Sequence, residues 1–236
     1  MPTPPLPEPD EVRELRDSLA EAEHSVGRHD PETAQVAWAL GRALRRAHRH
    51  PEAREHFERA LAILTNERGP GHPETAALHH DLAELSFAAG WFVQGQRSAE
   101  RALDAWAAAG QDDGQEASLD RLLLGSLLIA QGCHDEAEPV LRRALDFFSS
   151  AGDVESAEVA AGQLHLAKVL GAQGRVDEAA ARYRRAIEIR RRVLGATHPG
   201  VASALHDLGV LYEADGRSAE AQDVWREASR ILTGAS

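Results

Sequence analysis

The sequence predicts an all-α protein, a solenoid of five stacked helix-turn-helix pairs preceded by one capping helix. Three observations carry this. Turn residues recur at a fixed interval: His48, Gly90, Gly132, Gly174 and Gly216 are separated by 90−48, 132−90, 174−132 and 216−174, each equal to 42. Small residues return twelve positions later, at Ala60, Ala102, Ala144, Ala186 and Ala228. Ala and Leu dominate, aromatic residues make up only 5% of the chain, and no alternating Val/Ile/Thr run reads as a strand. One supersecondary unit copied without insertion gives an elongated array in which each copy packs mainly on its neighbours.

The elements follow in order. Residues 1–9 hold Pro2, Pro4, Pro5, Pro7 and Pro9, a composition that predicts an extended, disordered tail with two PxxP spans. Residues 10–29 form a capping helix, with Asp10 as N-cap and Val12, Leu15, Leu19 and Ala22 at helical spacing. Asp30-Pro31, His72-Pro73 and His198-Pro199 stand at offsets of 42 and 168, which is 4×42. The capping helix therefore occupies the slot that a second helix fills before each later pair. Residues 30–236 then divide into 30–71, 72–113, 114–155, 156–197 and 198–236. First helices are expected near 33–46, 74–88, 116–130, 157–172 and 200–214. Second helices are expected near 51–68, 93–108, 135–149, 177–194 and 218–233. Pro51 suits a helix start, where its missing N–H costs nothing. The four glycines suit a left-handed C-cap after each first helix, and His48 replaces glycine there in the first copy. Isolated helices of this length are marginal, so packing between copies supplies the stability.

The net charge of −12, from 26 basic and 38 acidic residues, argues against nucleic acid as a partner. The charge is uneven. Residues 30–71 carry 7 basic and 6 acidic groups, 156–197 carry 8 and 4, and 72–155 carry 5 and 15. On sequence alone, this favours different ligand charges along the array. The single cysteine, Cys133, permits no internal disulfide and fits a reducing, cytoplasmic setting. Met1 to Asp10 lacks a basic and apolar leader pattern, and no stretch of about 18 apolar residues offers a membrane span.

Five copies of a motif carry a family resemblance. The fifth shows Leu205, Leu208-Gly209, Tyr212, Gly216, Ala221, Trp225 and Ala228; the first shows Leu40-Gly41, Leu44, Ala53, Phe57 and Ala60. The third shows Leu124-Gly125, Leu128, Gly132, Ala137, Leu141 and Ala144, and the fourth Leu166-Ala167, Leu170, Gly174, Ala179, Tyr183 and Ala186. The second keeps Leu82-Ala83, Gly90 and Ala102. Over residues 30–233 the chain resembles tetratricopeptide repeat (TPR) proteins, in their 42-residue, kinesin-light-chain-like variety. Physics agrees: small residues at the Gly41 and Ala60 positions let helix axes approach, and Phe57, Tyr183 and Trp225 are expected to fill the gap between pairs.

The resemblance implies a right-handed superhelix whose first helices line a concave, ligand-binding groove. Carried over position by position, that groove is lined in the first copy by Gln35, Trp38, Arg42, Arg45 and Arg46. The second copy offers His80, Asp81, Glu84 and Phe87. The third offers Ser126 beside Leu122, Leu123 and Ile129, with one of the two leucines expected in the core. The fourth offers His165 and Lys168 beside Leu164, and the fifth Ser203, His206, Asp207 and Glu213. Arg42, Arg45 and Arg46 share a helical face, and Trp38 lies one turn earlier. Guanidinium groups converge well on carboxylates, so this end is expected to take an acidic segment; the alternative is an ordinary solvated face. Kinesin-light-chain-like repeats often place asparagine in the first helix. Here Asp81, His165 and Asp207 stand at that kind of position, and the one asparagine, Asn66, lies outside the groove.

Catalytic patterns are missing. There is no phosphate loop, no HExxH and no paired-cysteine motif, and Cys133 is read as a turn residue. His79 and His80 diverge by about 100° on a helix and cannot share an ion easily. No metal and no cofactor is implied. Glu178–Arg182 and Glu188–Arg192 are expected i,i+4 pairs on a solvated second helix. Function is read as a non-catalytic scaffold or adaptor that binds a peptide or partner segment. Its rivals are a peptide- or small-molecule-sensing regulator and an accessory subunit of an enzyme. Val224, Ile231 and Leu232 on the last helix are expected to offer an apolar edge for self-association.

Overall fold

The structure is a computed structural model that describes residues 9–234. Eleven α-helices form among these residues, with no strand: α1 (Asp10–Ser25), α2 (Pro31–Arg46), α3 (His50–Arg68), α4 (Pro73–Ala88), α5 (Phe92–Ala108), α6 (Gln115–Ala130), α7 (His134–Ser150), α8 (Ala157–Ala172), α9 (Val176–Leu194), α10 (Pro199–Ala214) and α11 (Ser218–Thr233). Every helix starts within two residues of its expected position. The fold is an all-α solenoid. The chain divides into two compact units after Asp112.

In the first unit α1 packs on α2, α2 pairs with α3, α3 packs on α4, and α4 pairs with α5. Leu40, Leu44, Phe57, Leu64, Leu78 and Leu85 form its fully buried centre. Val12 and Leu19 join that centre from α1. In the second unit α6 to α11 pair and stack in the same manner. There Tyr183, Ile187, Leu205, Leu208 and Tyr212 form one buried cluster.

The 42-residue recurrence has a backbone cause. After each first helix one residue turns left-handed: His48 at φ 58°, then Gly90, Gly132, Gly174 and Gly216 at 76–78°. The next amide then reaches back five residues, as in Arg49 N to Leu44 O, Trp91 N to Ser86 O and Arg217 N to Tyr212 O, at 2.8–2.9 Å. This bond satisfies carbonyls that the helix end leaves open. At the connectors, Asp30, His72 and His198 cap the following helix, accepting from the amides of Glu32, Glu74 and Gly200. The histidines do so through Nδ1, a role usually given to Asp or Ser.

Close approach within each pair explains the small residues. A Cβ on Gly41 would lie 2.6 Å from the Phe57 ring; one on Gly125 would lie 2.6 Å from Leu141 Cγ, and one on Gly209 2.5 Å from Trp225 Cδ1. In each case the glycine and its large neighbour are 16 residues apart.

Three expectations are corrected. Asp10 does not cap α1: it is the first helical residue, Pro9 holds the cap position without a side-chain bond, and Asp10 pairs with Arg13 instead. Phe57 and Trp225 lie inside their own pairs, across Gly41 and Gly209, and not between pairs; Trp225 stays half-buried, because no later helix covers α11 among the described residues. Of the three residues expected as an exposed C-terminal edge, only Leu232 stands clear of its neighbours, at 67% exposure; Val224 and Ile231 are half-buried against the unit's core. The expected tail and its PxxP spans lie outside the described residues, apart from Pro9.

Candidate functional site

The first helices bring the expected binding residues together in a recurring pattern. In the first unit α2 and α4 lie side by side. Gln35 Nε2 donates to Glu74 Oε1 at 3.2 Å, Arg42 Nε to Asp81 Oδ2 at 2.7 Å, and Arg45 Nη1 to Glu84 Oε2 at 2.5 Å. Each pair is 39 residues apart, so every residue meets the position one turn earlier in the next copy. The second unit repeats the offset: Ser126 Oγ meets His165 Nδ1 at 3.2 Å, and Lys168 Nζ meets Asp207 Oδ2 at 3.3 Å. The result is a polar ladder along the first-helix face of each unit.

Asp81 is the best-enclosed rung. It is 3% exposed and also accepts from Trp38 Nε1 at 2.5 Å. The Arg42 guanidinium lies over the Trp38 ring, 4.7 Å from its centroid, which fixes both side chains against the carboxylate. Glu84 is shared between Arg45 and His80, and the His80 hydrogen bond and the Arg45 charge hold its carboxyl below the usual range. Burial and the nearby Lys168 and Arg190 charges push His165 down to about 4, so its ring is neutral at pH 7. Phe87 is 43% exposed and touches the Phe92 ring, with centroids 6.0 Å apart. His206 stacks obliquely near Trp225 at 6.3 Å, while Ser203 and Glu213 stand exposed. Leu122 and Leu164 are core residues, and Leu123 and Ile129 are half-buried.

The arginines do not form one open cluster. Arg42 and Arg45 turn to α4, whereas Arg46 turns back to α1 and pairs with Glu11 at 2.5 Å. The shared sequence face splits because two different helices flank α2. The uneven charge has a similar cause. Basic groups of the first copy meet acids of the second, and Arg68 also pairs with Glu74. In the second unit Arg175 pairs with Glu138, Arg192 with Glu155, Arg191 with Glu227 and Lys168 with Asp207. Much of the imbalance is therefore consumed between neighbouring copies. On α9, Glu188–Arg192 forms as expected, but Glu178–Arg182 does not. Arg175, just before the helix, takes Glu178 with a two-pronged contact, and Arg182 donates to Gln163.

Sequence reading missed Glu74 and Glu11 as partners of the groove residues; a search at spacings of 39 and 35 between Gln or Arg and Glu finds them. Cys133 is half-buried at the turn before α7, where its amide closes the helix end on Leu128 O. Among the described residues no three His, Cys, Asp or Glu side chains converge on a metal position. No described helix is long and apolar enough to cross a membrane.

The family model described as "Tetratricopeptide repeat" matches residues 12–66, 32–108 and 158–233. No curated protein sequence matches the chain. Among solved structures, BtubC (BKLC) from P. vanneervenii is similar at 21% identity, covering 95% of this chain and 90% of that one, with a TM-score of 0.79. A structure described as "Podosopora anserina putative kinesin light chain nearly identical TPR-like repeats" is similar at 23% identity, covering 88% and 98%, with a TM-score of 0.73. YrrB, described as a TPR protein with an unusual peptide-binding site, is similar at 17% identity, covering 92% and 94%, with a TM-score of 0.61.

Proposed function

Because this chain belongs to the tetratricopeptide repeat family, we propose that it is a non-catalytic, cytoplasmic interaction scaffold. It binds an extended peptide or partner segment along the first-helix face. The observation that carries the reading is the polar ladder within each unit, Gln35–Glu74 to Arg45–Glu84 in the first and Ser126–His165 with Lys168–Asp207 in the second. Its side chains are held by one another, and all but the enclosed Asp81 are partly exposed, so little ordering cost falls on the protein when a ligand arrives. Trp38 and Phe87 give the first unit aromatic surface beside those charges. A peptide-binding site is also named for YrrB, which has the same fold.

The ligand is acidic near Arg42, Arg45 and Arg46, where its carboxylates engage the outward edges of guanidinium groups already oriented by Asp81, Glu84 and Glu11. Because those acids remain in place, affinity is modest, on the order of micromolar. The test is binding of fluorescent acidic and neutral peptides to the wild type and to the Arg42→Ala/Arg45→Ala/Arg46→Ala variant. Acidic peptides should bind the variant more weakly and with a flatter salt dependence. Equal binding to both proteins would remove the Arg site from the proposal. Scattering with and without the best peptide tells a passive scaffold from a sensor, since only a sensor changes its dimensions. Self-association through Leu232 of α11 is tested by sedimentation of the wild type and Leu232→Glu; a concentration-independent monomer in both argues against it.

A further inference from the structure

On the side of α4 away from Asp81 runs the face of the second helices, where an arginine–glutamate contact is found at two matching register places. Between α1 and α3, Arg59 Nη1 donates to Glu23 Oε1 at 2.5 Å. Between α9 and α11 the charges are reversed but the contact persists, as Arg191 with Glu227. The positions correspond: 65−23 and 101−59 are both 42, and 191−65 and 227−101 are both 126, or 3×42. The three register places between these lack the glutamate: Thr65, Ala107 and Ser149 stand where Glu23 stands, and Arg101, Arg143 and Arg185 where Arg59 stands. Arg143 and Arg185 find other acids, Asp113 and Glu188. Between α3 and α5, Arg101 faces Thr65 without one.

The carboxylate is missing there, and a crevice of about 550 Å³ opens in its place. Leu61 and Thr65 of α3, His79 of α4, and Arg101, Ala105 and Ala108 of α5 line it. Arg101 makes no ion pair or hydrogen bond among the described residues. His79 Nδ1 is buried and has no hydrogen-bond partner. Leu205 occupies the same register position in the fifth copy, so the imidazole is not required by the packing of the repeat. Burial and the Arg101 charge hold the His79 ring at about 4, so it is neutral at pH 7 and adds no positive charge. Asp104 also lines the crevice and makes no ion pair with Arg101. Its charge disfavours a ligand with two negative groups.

We propose that this crevice is a binding site for a monocarboxylate on a compact apolar stem. The ligand carboxylate takes the place that Glu23 fills against Arg59, and the stem covers Leu61, Ala105 and Ala108. The chemistry is shared by a free organic acid and by an acidic side chain of a partner. The site is independent of the first-helix face, because none of its residues belongs to the polar ladder.

The experiment is an amide NMR titration of the full chain with benzoate and, separately, with N-acetyl-glutamate amide. Saturable shifts at Thr65, Gly71, Ala105 and Ala108 are expected with at least one of them. Saturation by benzoate alone identifies a free acid as the occupant; saturation by the glutamate derivative identifies an acidic side chain. Arg101→Ala should weaken binding about tenfold or more. Thr65→Glu rebuilds the Glu23–Arg59 contact inside the crevice, so it should abolish binding while circular dichroism and the melting temperature stay at or above wild type. The Arg42→Ala/Arg45→Ala/Arg46→Ala variant should bind both compounds as wild type does. The proposal is overturned if neither compound saturates, or if Arg101→Ala and Thr65→Glu bind as tightly as wild type.

Discussion

Replacing Asp81 with alanine tests whether the polar ladder holds α2 to α4. The carboxylate accepts from Trp38 Nε1 at 2.5 Å and from Arg42 Nε at 2.7 Å, and it is almost wholly enclosed. A hydrogen bond to a charged group contributes about 1.5–3 kcal/mol. The Trp38 bond is assigned that full range. Arg42 is half-exposed and regains water when its partner leaves, so its share falls to about 0.5–1 kcal/mol. Asp81→Ala should therefore cost about 2–4 kcal/mol. Asp81→Asn keeps an oxygen for Trp38 and loses only the charge, and should cost about half as much. Urea denaturation followed by far-ultraviolet circular dichroism gives both values, provided the slope is unchanged. A loss below about 0.5 kcal/mol for the alanine variant would put this contact among ordinary surface pairs and overturn the assignment. Asp81→Asn also releases Arg42, so it should tighten the binding of acidic peptides if the proposed function is right.

Three further outcomes are expected. Gly125→Ala places a methyl 2.6 Å from Cγ of the fully buried Leu141, an overpacking cost of about 1–3 kcal/mol against about 1 kcal/mol of helix-propensity gain. Leu141→Ala alone should cost about 2–5 kcal/mol, but less in the Gly125→Ala background; strict additivity in a denaturation cycle would rule out the interlock. His48→Gly relieves a left-handed backbone at φ 58° and should raise stability by about 1 kcal/mol in a thermal melt, whereas a lowered melting temperature would contradict this. Arg175, and then Arg142, hold Glu138 at about 2 instead of 4.5. A lowered folded pKa stabilises the fold above the unfolded value, and that contribution is lost as pH falls from 4.5 toward 2. Urea titrations should show a flatter acid limb for Glu138→Gln; an identical limb would argue against the pairing.

Periodicity makes the helices legible because one interval fixes both the left-handed turn and the close helix contact. Gly41, Gly125 and Gly209 show it: each announces a large residue 16 positions later, and the structure seats Phe57, Leu141 and Trp225 there. The groove residues are legible as members of one face but not as partners. Neighbouring copies are staggered, so first helices meet at a spacing of 39 and second helices at 36, as in Arg59–Glu23. Neither spacing is the 42 of the motif, and no single-helix rule contains them. The i,i+4 rule gives Glu178 to Arg182, but Arg175 approaches from outside the helix with two donors and takes it. Sequence alone shows His79 only as the neighbour of His80. Its importance depends on Thr65 and Arg101, which only the packing of α3 against α5 brings near.

The pairing of Arg42 with Asp81 and of Arg45 with Glu84 makes the order of the copies matter. Excising residues 72–113 would preserve the turns of the other four copies and the interlocking Gly41, Gly125 and Gly209. It would also bring Leu123 and Ser126 opposite the two arginines, leaving Arg42 and Arg45 without counter-ions. Shape alone lets any copy follow any other, but charge distinguishes successors. A chain of look-alike modules thereby discourages two molecules from splicing into each other out of sequence.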